Sequence, residues 1–126
     1  MRLALADQEV VQNKEYDFIV DGVLSSASAH AKDSCGKVEI IGIHRVKDMV
    51  DVVNSAQRIL RRGGELKIVV PFGGSSWNDP EACREVSGST FSVWRQGEEN
   101  FRYANHPFRS VISNNDGVML HISMRK

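Results

Sequence analysis

The chain of 126 residues is poor in the features that mark specialised proteins. It has two cysteines, Cys35 and Cys83, and they form no paired motif. That spacing excludes a disulfide framework and a Cys-based metal site, and two isolated thiols are expected to be free and reduced. There is no apolar run long enough to span a bilayer, so no membrane association is expected. The first residues lack a signal peptide's charged start, apolar middle and small-residue cleavage site, which points to a cytoplasmic setting. Formal net charge is zero, and no basic stripe carries interleaved aromatics, so nucleic acid is not expected as the main partner. His30, His106 and His121 are scattered without the spacing of a zinc site, and no metal is expected. Ser75 and Ser76 follow glycines but form no nucleophile elbow. The same two glycines and serines lack the lysine and helix of a phosphate loop.

What is present centres on Val38 to Phe72. Val38–Ile43 and Leu66–Val70 are apolar, β-branched runs, read as strands. Between them Met49, Val52, Val53, Ala56, Ile59 and Leu60 recur at helical spacing, which predicts a helix over 48–62. Asp48 is placed to cap it, Arg61 and Arg62 suit the negative end of its dipole, and Gly63 suits the left-handed position after it. Strand, helix and strand at this spacing read as a right-handed βαβ unit with parallel strands.

Upstream, Arg2–Ala6 and Tyr16–Val20 read as short strands, with polar residues 8–15 offering two helical turns. Residues 23–37 are Ser- and Ala-rich, and Ser25 or Ser26 can cap a short helix ending at Gly36. Downstream, residues 73–88 form a long loop, in which Asp79-Pro80 can open one helical turn. Residues 89–97 suit a short helix with Phe91 and Trp94 on one face. Phe108–Ser113 and Val118–Met124 read as an antiparallel hairpin joined by Asn114-Asn115-Asp116-Gly117, residues that accept positive φ. The whole reads as one α/β domain over 1–126: a small Rossmann-like, mostly parallel sheet with a C-terminal antiparallel hairpin. In such sheets ligands bind beyond the carboxyl ends of the strands. The strand ends are then Asp7-Gln8, Asp21-Gly22, His44-Arg45 and Phe72-Gly73-Gly74.

The run from Ile43 to Pro71 resembles class I S-adenosylmethionine-dependent methyltransferases, more narrowly the type 11 group. The resemblance rests on His44 at a strand end, Arg58-Ile59-Leu60-Arg61-Arg62-Gly63-Gly64, and the strand closing on Val70-Pro71. Asp79-Pro80, Thr90-Phe91 and the closing hairpin agree, since that fold inserts a reversed strand by a hairpin. The resemblance implies S-adenosylmethionine as cofactor, held by Asp7, Gln8, Asp21, Gly22 and His44. It implies a substrate or partner loop with Phe72, Gly73, Trp77 and Asp79, open to a small molecule or a protein.

The front half departs from the pattern. Ala6-Asp7-Gln8-Glu9 stands where the family has a glycine-rich turn, and length suggests that the ribose-binding strand is missing. Lys47-Asp48 replaces the group's Glu-His. Asp7 also brings negative charge to the place of the cofactor's carboxylate. Two functions follow as expectations. One is a small methyltransferase with weakened cofactor binding. The other is a non-catalytic methyltransferase-fold partner or regulatory domain, with Trp77, Phe91 and Trp94 as anchors. Assembly into a homo-oligomer is compatible with either.

Overall fold

The computed structural model describes residues 16–97, 103 and 105–126. Asp7 and Gln8, and the strand and helical turns expected before Tyr16, lie outside the described residues. The elements are β1 (Asp17–Val20), β2 (Val23–Leu24), β3 (Cys35–Ile41), α1 (Met49–Ile59), β4 (Leu60–Pro71), β5 (Ser110–Asn115) and β6 (Met119–Arg125). The six strands form one sheet in the order β2-β1-β3-β4-β6-β5.

The expected pairing at the centre is present. β3 and β4 are parallel neighbours, with Val38 opposite Leu66 and Ile40 opposite Ile68. The helix between them buries Val52, Val53, Ala56 and Ile59, with Met49 half-buried. Asp48 caps it as expected, its Oδ1 accepting from the Asp51 N–H at 3.0 Å. The helix is shorter than its apolar periodicity implied. Leu60 is already extended, so Arg61, Arg62 and Gly63 belong to β4 rather than to the last turn and its cap. The competing interaction is a strand pairing, since Leu60 lies opposite Cys35.

The mostly parallel, Rossmann-like sheet is not what the chain forms. Among the described strands β3 and β4 are the one parallel pair, and the other four pairings are antiparallel. The reversal begins at Asp21-Gly22, where φ is +49 and +87. Two consecutive positive φ values make a tight hairpin turn of the primed kind, which favours Asp-Gly. It folds β2 back on β1, with Val20 opposite Val23. The following connection to Cys35 holds only a 3-10 turn, Ala27–Ala29, and no crossover helix. β1 therefore runs antiparallel to β3, with Asp17 beside Ile41 and Val20 beside Val38.

This sheet buries one face. Phe18, Val20, Val38, Ile40, Leu66, Ile68, Val70, Leu120, Ile122 and Met124 point into a core closed by α1 and by Val86, Phe91, Trp94 and Phe108. The alternate residues point the other way. Among them Lys37 lies opposite Glu65, and Glu39 opposite Lys67, so unlike charges face each other across the parallel pair. Antiparallel-rich sheets tolerate such a half-open face, whereas all-parallel sheets are covered on both sides.

The segment after the long loop is likewise structural. Residues 92–94 form a 3-10 turn rather than a longer helix. Phe91 and Trp94 are core residues, with ring centroids 5.9 Å apart, and Trp94 Nε1 donates to Asn54 Oδ1 on α1 at 2.8 Å. They are therefore not available as partner anchors. The antiparallel hairpin follows expectation, with Gly117 at φ +92, residues 114–117 exposed and β6 antiparallel to both neighbours, but Asn114 and Asn115 belong to β5, paired with His121 and Leu120, rather than to the turn. Asp116 closes the turn by accepting from the Val118 and Met119 amides.

Ile59 tests this packing, because it is fully buried at the point where helix gives way to strand. Ile59→Ala is expected to lower unfolding free energy by about 2–5 kcal/mol, from lost transfer energy plus a cavity. A urea titration should show a lower midpoint with an unchanged slope.

Candidate functional site

The carboxyl ends of β3 and β4 open into a cleft of about 390 Å³. The walls are Ile41, Val69, Pro71 and Met119 from the open face of the sheet, and the rim carries Tyr16, Ser75, Asn78, Arg45 and Asp79. The chain builds this place from two segments. β3 ends at Gly42, whose φ of +92 turns the backbone into a 3-10 turn, Ile43–Arg45. β4 ends at Pro71, and the loop at 73–88 then returns over the same edge.

That loop is closed on itself and pinned to the Ile43–Arg45 turn. Gly73 pairs with Val86 in an antiparallel bridge at the loop's base. Gly73 adopts φ +54, ψ −132, a conformation left to glycine. Ser76 is fully buried inside the loop and donates to Gly73 O at 3.2 Å or Arg84 O at 3.1 Å. The Arg84 guanidinium donates to the carbonyls of Ile43, Val46 and Lys47. The Cys83 amide donates to His44 O at 2.7 Å. Asp79-Pro80 forms a turn closed by the Ala82 amide on Asp79 O, not a helix.

Asp79 is the centre of the pinning. Its carboxylate accepts from His44 Nε2 at 2.9 Å, from Arg45 Nε, and from the Glu81 amide at 3.0 Å. These donors hold its pKa down to about 2, the Glu81 amide foremost and then Arg45; burial opposes them, and the His44 hydrogen bond lowers it by less. An ionised carboxylate only accepts, so the proton of the shared bond sits on His44 Nε2. His44 is 3% exposed, and its Nδ1 is buried with no partner among the described residues. His44 is thus one of the residues around the cleft, but its ring is almost wholly buried and its Nε2 is occupied by Asp79.

Of the residues expected to form one site, the structure brings together His44 and Asp79. It separates Asp21 and Gly22 from them. Because β1 is reversed, Asp21 stands at the amino end of β3, where its Oδ1 accepts from the Gly36 and Lys37 amides at 3.1 and 3.0 Å. Phe72 and Gly73 are structural flanks of the loop and do not line the cleft. Trp77 also stands outside the cleft. It is 55% exposed, and its indole N–H reaches Glu85 Oε2 at 3.4 Å. The lining residues that were not expected at a ligand site include Tyr16, Asp17, Ile41, Val69, Ser75, Asn78 and Met119. Ser75 and Asn78 lie within the long loop, a signal that was present. Tyr16, Asp17 and Met119 reach the edge only through antiparallel registers.

No family model matches this chain, and no curated protein matches it. Among the described residues no group of His, Cys, Asp or Glu is arranged to hold a metal ion, and no helix is long and apolar enough to cross a membrane. Both cysteines are free thiols, Cys35 buried and Cys83 exposed.

Asp79 carries a pH dependence with a defined sign. Its folded pKa, about 2, lies below the ordinary 3.8. The stability it contributes is therefore complete above the ordinary value and is lost as pH falls from about 4 toward 2. Amide hydrogen exchange should show Cys83 losing protection across that window. In Asp79→Asn, protection at Cys83 should be lower at neutral pH and lose this acid step.

Proposed function

We propose that this domain is a non-catalytic binding module whose cleft at the ends of β3 and β4 takes a small amphipathic ligand. One observation carries the reading: the imidazole at this cleft is buried and committed to Asp79, so it holds the loop in place rather than exchanging a proton with a bound molecule. General acid–base work needs the catalytic atom within hydrogen-bond reach of the reacting group. What the cleft does offer is an apolar floor and a rim of hydroxyl, amide, guanidinium and carboxylate groups. Its volume and its mix of apolar walls with few polar groups suit a small organic molecule. The rigid loop supports the reading further, since a preformed site loses less entropy on binding.

A second reading, methyl transfer from S-adenosylmethionine, draws support from the closing hairpin, which sets the reversed strand β6 between β4 and β5. Its cofactor set would have to do without Asp21, which stands at the other end of the sheet.

The test uses anilinonaphthalenesulfonate, an apolar ring system with one anionic group. Saturable fluorescence enhancement is expected in the wild type. Val69→Trp, which fills the cleft from the open face, is expected to abolish it with an unchanged circular dichroism spectrum. Enhancement that survives Val69→Trp would remove the cleft as the site. Calorimetry with S-adenosylmethionine weighs the second reading: micromolar binding lost in Asp21→Ala would overturn the binding-module assignment.

A further inference from the structure

A second concavity lies at the opposite end of the sheet, where the parallel-strand rule does not direct attention. It is a broad groove of about 880 Å³, lined among others by Lys32, Arg62, Arg109 and Lys126, with Asp33 as its one carboxylate side chain among the described residues. Five segments converge on it: the connection before β3, the junction of α1 with β4, Gln96 after the 92–94 turn, the entry to β5, and the end of β6.

The groove is a built structure. Lys126 Nζ donates to Asp33 Oδ1 and to the Gln57 carbonyl, both at 2.7 Å. The Asp33 and Ser34 amides donate to the carbonyls of Arg58 and Ile59. The Gln57 side chain donates to Pro107 O at 3.1 Å and ties the helix to the strand-entry segment. Lys126 N–H donates to Gly64 O, and Gly63 N–H to Lys126 O, which fastens the end of β6 to β4.

These bonds determine the sign of the field. The last carbonyls of a helix are ordinarily its negative, unsatisfied pole. Here Gln57, Arg58 and Ile59 each have a donor, so that pole is spent. Asp33 is balanced by Lys126, whose hydrogen bond is the first cause of its lowered pKa, with the charges of Lys32 and Arg62 also contributing. Lys32, Arg62 and Arg109 are exposed, and their side chains have no hydrogen-bond or ion-pair partner among the described residues. Among the described residues, three cations thus share one groove without a counter-charge of their own. Gln96 and Asn105 add exposed side-chain amides to the wall.

We propose that this groove is a binding site for a small ligand carrying two or more phosphate groups. Arg62 and Arg109 would pair with phosphate oxygens by their planar forks, and Lys32 would act as a third point charge. A chain of phosphates supplies several anionic oxygens to cations spread around a groove, which a single phosphate does not. The site is separate from the cleft at the other end of the sheet and does not depend on the function proposed for it.

The experiment is calorimetry with inorganic tripolyphosphate, at low and at physiological ionic strength. Saturable one-to-one binding is expected, weakened by salt because the partners are exposed charges. Arg62→Gln and Arg109→Gln should each weaken it by about tenfold, and Lys32→Gln by less. All three side chains are exposed, so the fold should survive, as circular dichroism would verify. Val69→Trp should leave the affinity unchanged. Absence of saturable binding, or binding equal in Arg62→Gln, Arg109→Gln and wild type, would overturn the proposal. So would inorganic phosphate binding as tightly as tripolyphosphate. A single-stranded oligonucleotide whose affinity grows with its length beyond that of tripolyphosphate would assign the groove to nucleic acid instead.

Discussion

Everything in this structure depends on one sheet face being dry. Among the described residues five strands contribute alternate apolar residues to it, from Phe18 in β1 to Val111 in β5, and α1 covers their centre. Burying that face supplies the main driving force, because apolar area removed from water is the dominant favourable term in folding. The opposite face is left to Lys37, Glu39, Glu65 and Lys67 and to half-exposed apolar residues. A one-residue slip of β3 against β4 would turn these charges into the core, so the dry face also fixes the register.

Both candidate sites follow from this arrangement. A helix on one face leaves the ends of the sheet to loops. At one end Asp79 and Arg84 fasten the 73–88 loop to the turn after β3, Asp79 through the His44 and Arg45 side chains and Arg84 through backbone carbonyls, and a cleft remains between loop and open face. At the other end Lys126 and the amides of Asp33 and Ser34 satisfy the end of the helix, and a basic groove remains. The two have opposite characters for a physical reason. One is floored by the apolar residues of the open face. The other is walled by long cationic side chains from strand ends and connections.

Much of the fold was legible because it rests on local periodicity. The βαβ unit, the Asp48 cap and the closing hairpin each arise from residues close in sequence. The direction of β1 was also written locally, in Val20-Asp21-Gly22-Val23, as a two-residue hairpin turn. Reading Asp21-Gly22 as a strand end concealed it. The alternation of charge and apolar residue in Lys37-Val38-Glu39-Ile40 and Glu65-Leu66-Lys67-Ile68 likewise indicated a sheet wet on one side rather than one covered on both. The helix overran because propensity and spacing continue to Leu60, whereas strand pairing with Cys35 takes that residue.

The sequence by itself determined the central strand–helix–strand unit, its buried row and the hairpin at the end, since periods of 3.6 and 2 and turn chemistry act between near neighbours. It also determined that His44 stands at a strand end and that a long loop follows β4. Only the tertiary structure decided which strand ends share an edge. That choice placed Asp21 away from His44, brought Tyr16 and Met119 to the cleft, and gathered Lys32, Arg62 and Arg109 around one groove. The reason is that strand direction is set by pairings between residues far apart in the chain, and one reversal exchanges the ends of every side chain the strand carries.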